Sequence, residues 1–550
     1  MAVCWSKTTF RMRNISAVDS ASTRSLTRPH PDPPPLAGEG RGGGKRERVR
    51  ERAAVAWLKT PSGGVAVLIL TTFLARLLFA ASLGLGIDES YMVAAGRKLQ
   101  LSYFDHPPIA WWMAWGIAHV TGSESAIVVR LPFIALFALT TFLIYRATAA
   151  LFNAEAGLWA AVVLNAAPIL GITAGTWVLP DGPLFAALLG TTACLITALR
   201  SRGRAAWGWW LASGACAGLA LCSKYSAVLT LLGAAAFLMT EPTGRRWLMR
   251  PQPYIAGVTA LVIFLPVLIW NARHGWISFA FQGGRAGGSV HPFGPMLAIA
   301  GQAAFLLPWI WAPLVWCGFL ALRRGPANPE HWLLVCLAAP PILVFTVAAL
   351  WGNALFHWAA PGYLMLLPLL GDAIARRRQA SRLVRIWLGA TATFVALGVI
   401  FVASEVRFNW LPGLIEDFPL GRDPSLDVVD WTSLRAELES RGLLDRPGLV
   451  VATLKWHEAG KIDYALGGRI PVICLGSDAR QYGLITRPDD YAGADVLIVA
   501  PRRSFAQISG QFRFRFDSIE PIAPATVMHA GSPAMELPLF IGHRLHKSDE

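Results

Sequence analysis

Ionisable side chains gather in a short stretch that reads Gly86-Ile87-Asp88-Glu89-Ser90-Tyr91 and continues to Tyr103-Phe104-Asp105-His106-Pro107-Pro108. A carboxylate pressed against lipid or apolar protein is costly to ionise, so its pKa shifts and it tends to face a cavity. Such a group suits general base catalysis, in which it takes the proton of a hydroxyl or amine as that group attacks. An ordinary solvated loop, whose carboxylates only keep it out of the membrane, accounts for the same residues, and both readings stand at this point. A second candidate is Asp181 in Trp177-Val178-Leu179-Pro180-Asp181-Gly182-Pro183, where the prolines rigidify a turn. Helix N-capping and a place in an active site explain this aspartate equally well. Lys224 and Tyr225, in Cys222-Ser223-Lys224-Tyr225-Ser226, lie between two apolar runs. A lysine there binds an anionic headgroup or snorkels from a span end. Arg285 and His357 are further candidates for contacting a phosphate, although single cations at interfaces are common.

The elements that must position these residues are membrane helices. The chain has 15% charged and 54% hydrophobic residues and a mean hydropathy of +0.46, against roughly a quarter charged in soluble domains. Its apolar residues come in blocks close to the roughly 20 needed to cross a bilayer. The blocks are 64–83, 126–149, 154–171, 182–199, 207–222, 225–240, 253–270, 297–321, 331–350, 359–375 and 386–404, which predicts about eleven spans or more. The formal charge of +15 does not point to nucleic acid, because residues 1–60 hold twelve Lys and Arg against five Asp and Glu, a net +7. Much of the remainder sits in short loops, as it does on the cytoplasmic side of membrane proteins. Placing residues 1–60 inside also places inside the clusters at Arg200/Arg202/Arg204, Arg245/Arg246/Arg250, Arg323/Arg324 and Arg376 to Arg385. An odd number of spans then puts the C-terminus outside, together with the candidate residues above.

Three regions follow. Residues 1–60, rich in Arg, Pro, Gly and Ser, read as a disordered basic cytoplasmic tail. The stretch from Pro29 to Gly44 looks like translated repeat sequence, so the biological start is expected downstream of Met1. Residues 61–404 form the membrane region, with Ile109 to Val120 and its three tryptophans expected to lie along the outer face. Residues 405–550 alternate strand-like runs (449–454, 471–475, 495–499) with helical ones (432–441, 457–466, 505–511), the pattern of a small extracytoplasmic α/β domain. Five of the seven cysteines sit in apolar runs and read as buried small hydrophobes.

Taken together, the Asp-Glu pair, Tyr-Phe-Asp-His-Pro-Pro, Pro-Asp-Gly-Pro, Ser-Lys-Tyr and the late His-Trp pair resemble the bacterial family 39 glycosyltransferases. These are relatives of the protein O-mannosyltransferases and of the enzyme that adds aminoarabinose to lipid A. The C-terminal run Lys455-Trp456-His457-Glu458-Ala459-Gly460-Lys461-Ile462-Asp463-Tyr464 is similar to that of a subgroup of its bacterial members. The resemblance implies a GT-C fold with an outward-facing cavity. There a sugar on a polyprenyl phosphate passes, with inversion, to an envelope lipid, glycan or protein. It implies Asp88 as general base, with Glu89 and Asp181 as further catalytic carboxylates. Asp105, His106 and Tyr91 would shape the acceptor side, and Lys224, Tyr225, Arg285 and His357 would hold the donor phosphate. Asp105-His106 stands where some relatives carry a Glu before the proline. Some relatives hold a divalent metal between such carboxylates, but no close ligand spacing here establishes one. A transporter or lipid-linked sugar flippase is the competing reading. It fits less well because the ionisable residues cluster at one face and no inverted repeat is evident.

Overall fold

The computed structural model describes residues 56–284, 287–352, 354–408, 428–529 and 532–548. Nearly all of the expected basic tail, and the candidate Arg285, lie outside the described residues. In lipid the backbone must satisfy its own hydrogen bonds, so the apolar blocks fold as helices. They begin with α1 (Pro61–Ser82), and two short helices, α2 (Ile87–Gly96) and α3 (Ile109–Thr121), precede α4 (Ala126–Leu151). Next come α5 (Ala154–Ala166), α6 (Pro168–Thr173), α7 (Asp181–Arg200), α8 (Gly203–Ser223), α9 (Ala227–Thr240) and α10 (Pro242–Leu248). The membrane region finishes with α11 (Gln252–Arg273), α12 (Ile277–Gly284), α13 (Gly294–Leu306), α14 (Pro308–Arg324), α15 (Pro329–Ala348), α16 (Ala360–Arg377) and α17 (Arg382–Phe408).

Among the described residues, eight helices are long and apolar enough to cross a membrane, or up to ten if each of two bent pairs counts as one span. Two expected spans are therefore not continuous rods, and a third is a short helix that bends sharply at its end. The block at 154–171 breaks at Ala167, ahead of Pro168. The block at 225–240 forms the 14-residue α9, which turns by 101° into α10. The block at 297–321 splits into α13 and α14, bent by 112° about Leu307, whose φ is +70°. Proline explains these breaks, since it lacks an N–H and disfavours helical geometry in the residue before it.

The C-terminal region shares one apolar core with α2 and α3: Leu85, Tyr91 and Trp111 pack with Trp431, Trp456, Ile462 and Leu466. Both therefore lie at the same end of the bundle. The arginine-bearing termini meet at the other end. Arg200 bonds to the carbonyl of Ala150 at 2.6 Å and pairs with Glu330 at 3.5 Å, Arg378 pairs with Glu155 at 3.6 Å, and Trp332 donates to Thr240 at 2.7 Å.

The C-terminal region is the expected α/β unit with more sheet than the sequence suggests. Its strands β1 (Val450–Thr453), β2 (Val472–Cys474) and β3 (Val496–Val499) are parallel, while the 14-residue β4 (Phe516–His529) and β5 (Ser532–Leu545) add antiparallel edges in the order β2-β1-β3-β5-β4. Helices α18 (Ser433–Ser440), α19 (Trp456–Leu466), α20 (Tyr482–Ile485) and α21 (Phe505–Phe512) complete it. Pro521 and Pro524 interrupt β4, and the ladder shifts register between Ile522 and Ala525. An edge strand tolerates that, whereas prolines mask a strand in the sequence.

Candidate functional site

The loop from Gly86 begins a helix because Glu89, at its third position, turns back to accept the Gly86 N–H at 2.8 Å. The same carboxylate is fully buried and meets Arg130 of α4, with Nε to Oε1 at 2.8 Å and Nη2 to Oε2 at 2.5 Å. The Val178 N–H completes it at 2.9 Å. Arg130 spends its remaining donors on the carbonyls of Ala80, Leu83 and Gly84, at 2.9, 2.9 and 2.7 Å. Burial alone would raise the Glu89 pKa; the Arg130 charge, its hydrogen bond and the two amides outweigh this and hold the carboxyl below its ordinary range. Each oxygen already accepts two bonds, so Glu89 ties the end of α1, the start of α2 and the turn before α7 together. That is a positioning task, and it leaves no lone pair for proton transfer, contrary to its assignment as a catalytic carboxylate.

Asp88, one residue earlier, is exposed. Desolvation, the effect expected to activate it, falls instead on Glu89, Asp105 and Asp181, all buried. Asp88 projects from the first turn of α2, whose backbone is fixed by the Glu89 anchor.

Asp181 opens α7, and Lys224 closes α8. The two meet in a bidentate pair, with Nζ at 3.0 and 2.9 Å from Oδ1 and Oδ2, although the sequence reading gave them separate tasks. His357 and His106 also act electrostatically on the Asp181 carboxylate. Residues from four separate motifs thus converge around one buried aspartate, on the end of the bundle that carries α2 and α3. Tyr225, next to Lys224, packs its ring against Phe279 at 5.1 Å and Phe264 at 6.5 Å.

The C-terminal region grips the loop that carries Asp105 and His106. Arg480 lies over the Trp456 ring at 3.8 Å and reaches Asp105 Oδ2 at 3.0 Å. Gln481 accepts the Phe104 N–H at 2.9 Å, and its own N–H donates to the Tyr91 hydroxyl at 3.1 Å. From α12, Gln282 donates to the Asp105 carbonyl at 2.6 Å. Arg97, which caps α2, joins Glu124 at 2.6 Å and Asp463 of α19 at 2.7 Å, and Lys461 donates to the carbonyls of Leu85 and Val429. The conspicuous run in α19 is therefore a docking face. Tyr91, expected to line the acceptor cavity, is buried instead in this interface, edge-on to Trp111 at 5.2 Å and Trp456 at 4.8 Å. Gly460 permits the approach, since a Cβ there would sit 2.6 Å from the Tyr91 Cα.

Sequence reasoning missed Arg130, Arg480 and Arg76. The last lies inside α1, donates to the Gly171 carbonyl and the Thr176 hydroxyl, and sits 4.3 Å from the Phe137 ring. Arg76 and Arg130 were marked by the rarity of charge within apolar spans; no such signal marked Arg480. Among the described residues, no group of three or more His, Cys, Asp or Glu side chains is arranged to hold a metal ion.

Comparison with known proteins gives this geometry a context. Residues 105–270 match the family model described as dolichyl-phosphate-mannose-protein mannosyltransferase. The segment contains Asp105, His106, Asp181 and Lys224. A lipid A galacturonosyltransferase, RgtD, of Rhizobium johnstonii is 23% identical over 282 residues, which are 50% of this chain and 58% of that protein. The chain thus spans little more than half the length of this curated relative. Crystal structures of ArnT from Cupriavidus metallidurans superpose with TM-scores of 0.56 in the apo state and 0.58 with undecaprenyl phosphate bound. Each comparison covers 87% of this chain and 98% of ArnT, at 15% and 14% identity. This chain accordingly has an ArnT-like GT-C fold, and its residues 105–270 match the family model described as dolichyl-phosphate-mannose-protein mannosyltransferase.

Proposed function

We propose that the protein is an inverting glycosyltransferase that moves a sugar from a polyprenyl phosphate to a cell-envelope acceptor at the outer face of the inner membrane. The observation that carries this reading is the convergence of Asp181, Lys224, His106 and His357 at one end of the bundle, beside the helix that presents Asp88. The relatives support it, since one carries the name of a lipid A galacturonosyltransferase and the ArnT fold is recorded with undecaprenyl phosphate bound. On this reading the acceptor is a glycolipid, with a glycan or a protein as the other choices. The arginine-rich end faces the cytoplasm by the positive-inside rule, which puts the site and the C-terminal region outside.

In the proposed step an acceptor oxygen attacks the anomeric carbon from the face opposite the phosphate. The bond from that carbon to the phosphate oxygen breaks, Asp88 takes the acceptor proton, and polyprenyl phosphate leaves. The leaving oxygen gains charge as the bond breaks, so cations placed there lower the barrier. Lys224 supplies one, held in place by Asp181; two of its three N–H donors go to the aspartate, which aims the lysine, and the third stays available for phosphate. His357 and His106 flank the same position. Glu89 acts through the loop alone.

The test is Asp88→Asn, which preserves shape and removes the proton acceptor. General base catalysis contributes about 10²- to 10⁴-fold, so this variant should insert, bind donor and turn over at least about a hundredfold more slowly. Near-native turnover would remove Asp88 from the mechanism.

A further inference from the structure

A cavity with basic and apolar walls lies at the arginine-rich end, far from the residues discussed above. It measures about 290 Å³ and opens between the C-terminal turns of α14 and α16 and the N-terminal turn of α15. Arg324, Arg376 and Arg377 line it with His331, while Trp316, Leu320 and Leu369 supply apolar wall. The lining itself contains no carboxylate. Asp372, buried next to it, pairs with Arg376 and offsets one of the three guanidinium charges. Arg324 spends one donor on the His331 ring at 3.2 Å. The cavity thus keeps an excess of two positive charges beside an indole, that of Trp316, which is 56% exposed on the outer surface of the bundle.

Arginines at helix C-termini are expected from the helix dipole and from membrane topology. Those causes place cations at span ends; they do not require arginines from two helices to share one walled cavity with aliphatic sides. Guanidinium groups bind phosphate oxygens through paired N–H donors, and basic pockets between membrane helices are suited to lipid headgroups. We propose that this cavity is a binding site for the phosphate of an anionic phospholipid of the adjoining leaflet, with its acyl chains lying against Trp316 and Leu320. The site is separate from the transfer site and independent of the proposed reaction.

Full-length protein is purified into nanodiscs of phosphatidylcholine with or without phosphatidylglycerol. Retained lipid is counted by native mass spectrometry, and the thermal unfolding midpoint is followed. The wild type should retain phosphatidylglycerol and unfold at a higher temperature when it is present. Arg324→Gln with Arg377→Gln should retain it roughly thirtyfold less well, at about fivefold per cation lost near an anionic leaflet. The double Lys variant at these positions, which keeps the charge, should recover most of the retention and guards against misfolding. Arg202→Gln, in another loop, should change nothing. Added inorganic phosphate in phosphatidylcholine discs separates the sources: a midpoint rise that the Gln variant loses would keep the phosphate site and reassign its ligand to soluble phosphate. Equal phosphatidylglycerol retention by wild type and the Gln variant, or none by either without a phosphate effect, would overturn the proposal. No arm reads sugar transfer, so failure here leaves the proposed function untouched.

Discussion

Glu89→Gln separates a structural anchor from a catalytic carboxylate. In the wild type Oε1 accepts from Arg130 Nε and Val178 N, and Oε2 accepts from Arg130 Nη2 and Gly86 N. A glutamine keeps one oxygen and turns an NH2 toward the other two donors. Two hydrogen bonds are lost and two buried donors stranded, at about 1–3 kcal/mol each. The result agrees with the roughly 3–5 kcal/mol seen when a buried ion pair is broken from one side. The folded-state carboxyl titrates below its ordinary value of 4.5, so its stabilisation is fully present above that pH and is lost as pH falls through the depressed value. The deficit of Glu89→Gln should therefore be constant from about pH 8 to 5 and shrink only under more acid conditions. Thermal unfolding of the purified variant measures this, and turnover per folded molecule is read alongside. The expected outcome is a large loss of stability with turnover within a few-fold of wild type. Native stability with turnover as low as that of Asp88→Asn would refute the anchor and return Glu89 to the chemistry.

Lys224→Ala should weaken donor use, but it also strands the buried Asp181 carboxylate, at roughly 3–5 kcal/mol; adding Asp181→Asn should restore stability without restoring donor affinity, as donor titration of both variants would show. If Lys224→Ala keeps normal donor affinity, the lysine serves only its aspartate. Arg480→Ala should slow turnover while leaving the donor KM nearly unchanged, because Arg480 holds the Asp105 loop from the C-terminal side; Arg480→Lys should recover part of the loss, and a variant with unchanged turnover would limit this region to folding. Phosphatase fusions after Arg407 should be active and cytoplasmic fluorophore fusions there dark; the reverse pattern would invert the orientation.

Hydropathy alone located the helices that cross, because lipid leaves the backbone few ways to satisfy itself. It failed where proline breaks a run, as at Pro168 and Pro308, since an average over the run does not register a missing N–H. The candidate residues were legible as types: Asp181 and Lys224 each stood out in its own turn. Their pairing was not, because it depends on how α7 packs against α8. The role of Glu89 was obscured for the same reason, as Arg130 lies 41 positions away in sequence and becomes its partner only when α4 packs against α2. Nothing local marked Arg480, whose partner is 375 positions distant. Strands β1 to β3 were readable as uniformly apolar runs, whereas the half-exposed β4, with its two prolines, was not.

The proposed transferase moves the sugar chemically and does not merely carry it across the membrane. Purified protein in proteoliposomes, given a labelled sugar on polyprenyl phosphate and an envelope glycolipid extract, measures this most directly. Transfer should yield free polyprenyl phosphate and labelled acceptor in equal amounts, both falling at least about a hundredfold in Asp88→Asn. Intact donor appearing in the opposite leaflet, with no polyprenyl phosphate released, would contradict it and identify a flippase.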